Sequence, residues 1–163
     1  YTDIEGHTAI MQRLGDEQGR QVMRHHERIT RSAIERHRGK ESLATGDGFL
    51  ARFSTANDAL ACAVDLQRNL ADASADLPVE LRVRVGINAG EPIIEGDEIH
   101  GAVVFAARRI ASSADGGEVL VANVVRELAA GKGFAFKERG EVAVSGQHEP
   151  VRLWELLWAH TAT

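Results

Sequence analysis

The sequence has few of the residues that staple, stack or span. Its 163 positions hold one cysteine, three prolines and 5% aromatic residues. A single cysteine cannot close an internal disulfide, which excludes a small disulfide scaffold and, with it, a cysteine-rich zinc module. Cys62 lies in the apolar run Ala-Leu-Ala-Cys-Ala-Val and reads as a small buried hydrophobe. The longest apolar run, Ala102 to Ala107, is far below the ~20 residues that a membrane-spanning helix needs. No charged-then-apolar leader opens the chain. Tyr1-Thr2-Asp3-Ile4 reads as the end of a strand, so the chain is expected to be a fragment of a longer one. Few rings and a net charge of −5 speak against a nucleic-acid partner, which calls for a basic patch and stacking platforms. With 44% hydrophobic and 26% charged residues, what remains is a cytoplasmic globular protein of one domain.

Periodicity supplies the elements. A helical pattern runs from about Thr8 to Arg38, with Ile10, Leu14, Val22, Ile29 and Ala33 on its apolar side and a break expected near Gly15 and Gly19. Its many Arg and His residues read as a solvated face, and adjacent His25 and His26 point too far apart on a helix to share a metal. Strand-like runs at 41–45 and 49–53 flank Gly46-Asp47-Gly48 and predict a hairpin. A helix follows from Ser54-Thr55, carrying Leu60, Ala63, Val64, Gln67 and Leu70. Residues 81–87 alternate cleanly as a strand, and 101–113 is helical with Val104, Ala107, Ile110 and Ala111 as its core stripe. A strand at 118–121, a helix at 123–130 and strands at 134–144 and 151–156 complete the series. Trp154 and Trp158 read as packing residues. The order β-α-β-β-α-β-α-β-α-β-β predicts an α+β fold, a ferredoxin-like mixed β-sheet with helices packed mainly on one face.

Two carboxylates stand out by context. Asp3 ends the first strand, just before a glycine-containing turn into a helix, and Asp47 sits at the predicted hairpin tip. If the two strands are neighbours, both acids meet at one end of the sheet, where one or two carboxylates plus substrate phosphates suit Mg²⁺. The turn Glu5-Gly6-His7-Thr8 would present backbone N–H groups at a helix start, a cradle for anions. The bland alternative is that an aspartate between two glycines serves only the turn.

Residues 1–8 (Tyr-Thr-Asp-Ile-Glu-Gly-His-Thr) and 45–51 (Thr-Gly-Asp-Gly-Phe-Leu-Ala) resemble two signatures of the class III nucleotidyl cyclase catalytic domain of bacterial type. Residues 83–90 (Val-Arg-Val-Gly-Ile-Asn-Ala-Gly), the helix at 101–109 and Arg139-Gly140-Glu141 resemble further segments of that family, in its order. The resemblance implies two metal ions, Mg²⁺ or Mn²⁺, held by Asp3, Asp47 and the Ile4 carbonyl, and attack of the ribose 3′-hydroxyl of a nucleoside triphosphate on its α-phosphorus. It implies a head-to-tail homodimer, each site taking metal ligands from one chain and base-reading and transition-state residues from the other. Arg109 falls where the family stabilises charge on the transferring phosphoryl group.

Other partner-side positions depart from the family. Phe105 replaces the asparagine that orients the ribose, and a phenyl ring neither donates nor accepts a hydrogen bond. Packing or a cation–π contact with Arg109 is the competing reading for it. Leu43 stands where adenine-selective members have lysine, while Lys40 is placed about 10 Å along the strand on the opposite face. Glu98 takes the place of the companion aspartate, and Ser145 that of the lysine that grips the terminal phosphates. The resemblance therefore implies weak conversion of ATP to cyclic AMP. The alternative is a catalytically degenerate homology domain that binds nucleotide or serves as a dimerising regulatory module. A nucleic-acid binder on a ferredoxin-like sheet, the third reading, lacks the aromatic, basic sheet surface.

Overall fold

The computed structural model describes residues 1–45 and 48–159. The elements are β1 (Thr2–Ile4), α1 (His7–Arg36), β2 (Lys40–Ala44), β3 (Gly48–Arg52), α2 (Ala56–Ser74), β4 (Val83–Ile87), β5 (Ile93–Glu95), β6 (Glu98–His100), α3 (Ala102–Ser112), β7 (Val119–Ala122), α4 (Asn123–Leu128), β8 (Phe136–Val142) and β9 (Val151–Leu156). Among the described residues seven strands form one sheet in the order β2-β3-β1-β4-β7-β9-β8, and β5-β6 is a separate hairpin. Neighbours are antiparallel except β4 and β7, which are parallel. This is the expected mixed α+β sheet.

Alternation sorts the strands between two faces. Ile4, Val83, Val85, Val119 and Val121 point to the main core, where Val22 and Ile34 of α1, Leu60 and Leu66 of α2 and Val125 of α4 meet them. On the other face α3 packs alone, setting Ala106 and Ile110 against Leu120, Ala122 and Leu153. Gly86 permits that approach, because a Cβ there would run into the Ala107 carbonyl and the Ala111 nitrogen. Three helices thus share one face and α3 covers part of the other.

Several expectations change in detail. The hairpin β5–β6 was not foreseen, although Gly96-Asp97 between two isoleucine-bearing runs is a two-residue turn signal. The expected break in α1 falls at Gly15, where φ is 80° and ψ 175°, a conformation open essentially to glycine alone. Gly19 instead stays helical and receives the Met11 side chain. The solvated reading of the α1 surface holds for Arg20, Arg24 and Arg28, which are exposed, but His26 is fully buried, its ring 5.8 Å from that of Phe49. Cys62 is buried as expected, and desolvation pushes its thiol up to about 12. Trp154 and Trp158 are tied into the scaffold by indole hydrogen bonds of 2.8 Å to Asn123 Oδ1 and 2.7 Å to the Gly117 carbonyl.

Candidate active site

Asp3 lies on β1 between β3 and β4, directly opposite Gly48 on one side and Arg84 on the other. It is on the same face as α3, since Ile4 and Val83, next along their strands, point into the core under α1 and α2. Gly48 cannot carry a Cβ without striking the Thr2 carbonyl, so β3 lies close against β1 at this point. Asp47, the next residue back along the chain, lies outside the described residues.

Both oxygens of the Asp3 carboxylate accept from one guanidinium: Arg84 Nε donates to Oδ1 at 2.7 Å and Nη2 to Oδ2 at 2.9 Å. The side chains are 16% and 29% exposed, so this forked pair is largely shielded from water. Arg84 is the residue that sequence reasoning missed. Its signal was a cation inside the alternating run Val-Arg-Val-Gly-Ile, placed opposite the acid once β1 and β4 pair. The donors suit a hard divalent cation: a carboxylate at Asp3 that already holds a cationic group, and a backbone carbonyl at Ile4. Among the described residues no cluster of three or more His, Cys, Asp or Glu side chains forms a metal site.

The turn after β1 has the helix start that was expected. Gly6 caps α1 with φ 69°, ψ 31°, and the N–H groups of His7, Thr8 and Ala9 have no carbonyl within the helix to bind. The Glu5 side chain serves another contact: its Oε2 accepts from the Gly116 N–H at 2.6 Å, tying this turn to the one before β7.

The other predicted residues sit elsewhere. Phe105 is 68% and Leu43 43% exposed. On α3 the cation–π partner is Arg108, 5.3 Å above the Tyr1 ring, whereas Arg109 Nε donates to the Ala143 carbonyl at 3.3 Å, next to the loop that carries exposed Ser145. Arg108 leans towards β1 and Arg109 away from it. Ala143 follows β8, and four strand spacings, roughly 19 Å, separate β8 from β1. One chain therefore does not bring Arg109 and Ser145 to Asp3.

Lys40 corrects an expectation. A β-bulge between Glu41 and Leu43 sets Lys40 opposite Arg52 and Leu43 opposite Leu50. Arg52 and Leu50 are two apart on β3, so Lys40 and Leu43 share a face. Lys40 Nζ is 2.6 Å from Asp97 Oδ1, which fastens the β5–β6 turn to β2. Glu98 is exposed one residue further on, 3.3 Å from His100 Nε2.

Residues 1–156 match the family of adenylate and guanylate cyclase catalytic domains. The chain belongs to that family. The cyclase domain is 30% identical over 155 residues to "Putative adenylate cyclase 3" of Rhizobium meliloti, an alignment that covers 93% of this chain and 26% of that protein. It thus spans about a quarter of that relative's length. The solved adenylate/guanylate cyclase/hydrolase of Silicibacter pomeroyi superposes with TM-score 0.82 at 28% identity, covering 95% of this chain and 92% of that one. An adenylate cyclase structure from Trypanosoma brucei, 22% identical with TM-score 0.83 over 99% of this chain and 89% of that one, shares the fold. Cyclase domains of this family bind nucleoside triphosphates and generally use divalent metal ions. No helix among the described residues is long and apolar enough to cross a membrane.

Proposed function

We propose that the cyclase domain converts ATP to 3′,5′-cyclic AMP and pyrophosphate, weakly, at sites shared between two head-to-tail copies. The observation that carries this reading is the Asp3 carboxylate, shielded in the centre of the sheet beside a helix start whose N–H groups are unclaimed within the helix. Asp3, the Ile4 carbonyl and Asp47 would hold Mg²⁺ or Mn²⁺, which when bound lowers the pKa of the attacking hydroxyl and neutralises charge on the leaving phosphates. The helix start from Gly6 to Thr8 orients the triphosphate through backbone N–H groups and the helix dipole. Arg109 of the second copy sets a permanent positive charge against the transferring phosphoryl group. The separation of Arg109 from Asp3 within one chain supports the shared site.

Leu43, Phe105 and Ser145 are the reason for low activity. Losing one charged contact to the transferring group costs roughly 10² to 10³ in rate, and such losses need not add. Leu43 leaves a polar base edge without a partner and Glu98 offers a carboxylate with a longer reach, so ATP is preferred without being tightly selected. The same three residues favour a second reading, a degenerate domain that binds nucleotide and dimerises for regulation.

The test is cyclic nucleotide production from ATP and from GTP, with Mn²⁺, over a range of protein concentrations. Product from ATP that rises faster than linearly with concentration and falls by about 10²-fold or more in Asp3→Asn supports the enzyme. Nucleotide binding without product at any concentration supports the regulatory module.

A further inference from the structure

Arg84 and Asp3 occupy facing positions on two adjacent strands of the sheet interior, so their side chains meet without a hinge or loop between them. The guanidinium engages both carboxylate oxygens, at 2.7 and 2.9 Å. A divalent cation on Asp3 needs lone pairs on the same oxygens, at a distance of about 2.0–2.1 Å for Mg²⁺. A guanidinium and a dication cannot both take the same side of one carboxylate, and in a shielded site their mutual repulsion is poorly screened. We propose that Arg84 is an internal counter-ion of the metal site: it occupies Asp3 while no metal is bound and is exchanged for the incoming divalent cation. The inference rests on the reading of Asp3 as a metal ligand.

The exchange makes the affinity for the ion alone a difference between two pairings. The protein gives up a forked, charge-assisted pair to gain the metal. Removing the guanidinium should therefore tighten binding, the reverse of what a merely structural ion pair gives, since loss of a structural partner loosens the strand pair that carries Asp3. Arg82 provides the control for charge alone. It lies two residues along on the same face of the chain, is exposed and pairs with Glu80 at 3.2 Å.

The experiment titrates Mn²⁺ alone, without nucleotide, into the 163-residue chain and follows the loss of the free-ion paramagnetic resonance signal. Arg84→Gln is expected to tighten binding about tenfold, the factor that 1.4 kcal/mol produces. Arg82→Gln should stay within about twofold, as expected of a screened surface charge. Arg84→Lys keeps the charge but loses the fork, so its gain should be smaller than that of Arg84→Gln, and it carries the test should Arg84→Gln fail to fold by circular dichroism. Unchanged or weaker Mn²⁺ binding in folded Arg84 variants, or an equal gain in Arg82→Gln, overturns the exchange. The metal reading fails separately: Asp3→Asn would then leave Mn²⁺ affinity unaltered both alone and combined with Arg84→Gln.

Discussion

Glu155 on β9 is held in an unfavourable setting. Burial pushes its carboxyl above the ordinary range, and the neighbouring Glu118 adds a shared hydrogen bond and a like charge, opposed by Lys137 and Arg139. Glu118 itself moves the other way, because the Asp115 N–H and Arg139 outweigh its desolvation. A carboxyl raised on folding contributes its full stability below the unfolded pKa and loses it as pH rises through the folded value. Once ionised, Glu155 therefore costs stability, because folding has raised its carboxyl. Glu155→Gln keeps the shape and removes the charge, and for this partly buried pair a gain of about 0.5 kcal/mol at pH 7 is expected after solvent screening. Urea denaturation at pH 7 and again near pH 4 checks it. The gain should vanish at the lower pH, and a loss at both would show that the carboxylate is a net attractive partner of Lys137 and Arg139.

At the level of elements, α3 depends on what β4 leaves out. Gly86 lies under the helix, and even one methyl group would meet the Ala107 carbonyl and Ala111 nitrogen, backbone atoms that no side-chain rotation can move aside. Gly86→Ala is therefore expected to cost about 1–3 kcal/mol, read as a lower urea midpoint at unchanged slope. The same comparison shows what local pattern could and could not say. Strands and helices followed from periodicity because their buried faces repeat at 2 or 3.6 residues, and 151–156 came out to the residue as β9. The β5–β6 hairpin, three residues a side, is too short for a periodic signal and shows only in its Gly96-Asp97 turn. The bulge that turns Lys40 onto the Leu43 face has no local signature, because it is set by how β2 matches β3. At the site, Asp3 and the helix start were legible from a strand that ends in Asp-Ile before a glycine turn. Arg84 was not, since its role exists only once β1 and β4 are neighbours. The second carboxylate, Asp47, lies outside the described residues, and its role rests on the family pattern.

Across the whole molecule, the proposed reaction is divided between the interior of one sheet and its β8 edge. Asp3 and the Gly6–Thr8 turn lie at β1, while Arg109 leans on Ala143 beyond β8. If each site combines one chain's β1 end with the other chain's α3, the two halves can be inactivated in different chains. Asp3→Asn and Arg109→Ala should each abolish activity alone. Mixed in equal amounts with free exchange of subunits, half the dimers hold one chain of each kind. In these one site carries both lesions, and the other combines an intact Asp3 with an intact Arg109. Half the dimers with one of two sites working restores about one quarter of the wild-type rate, a ratio fixed by two-fold symmetry alone. Cyclic AMP formation in the mixture, measured beside each variant alone, checks it. A site complete within one chain gives no recovery at any ratio, and a site that borrows only Ser145 or Leu43 from the partner leaves Arg109→Ala dead in every mixture. Recovery should also rise with total protein until dimers saturate, because the quantity being restored is a property of the pair.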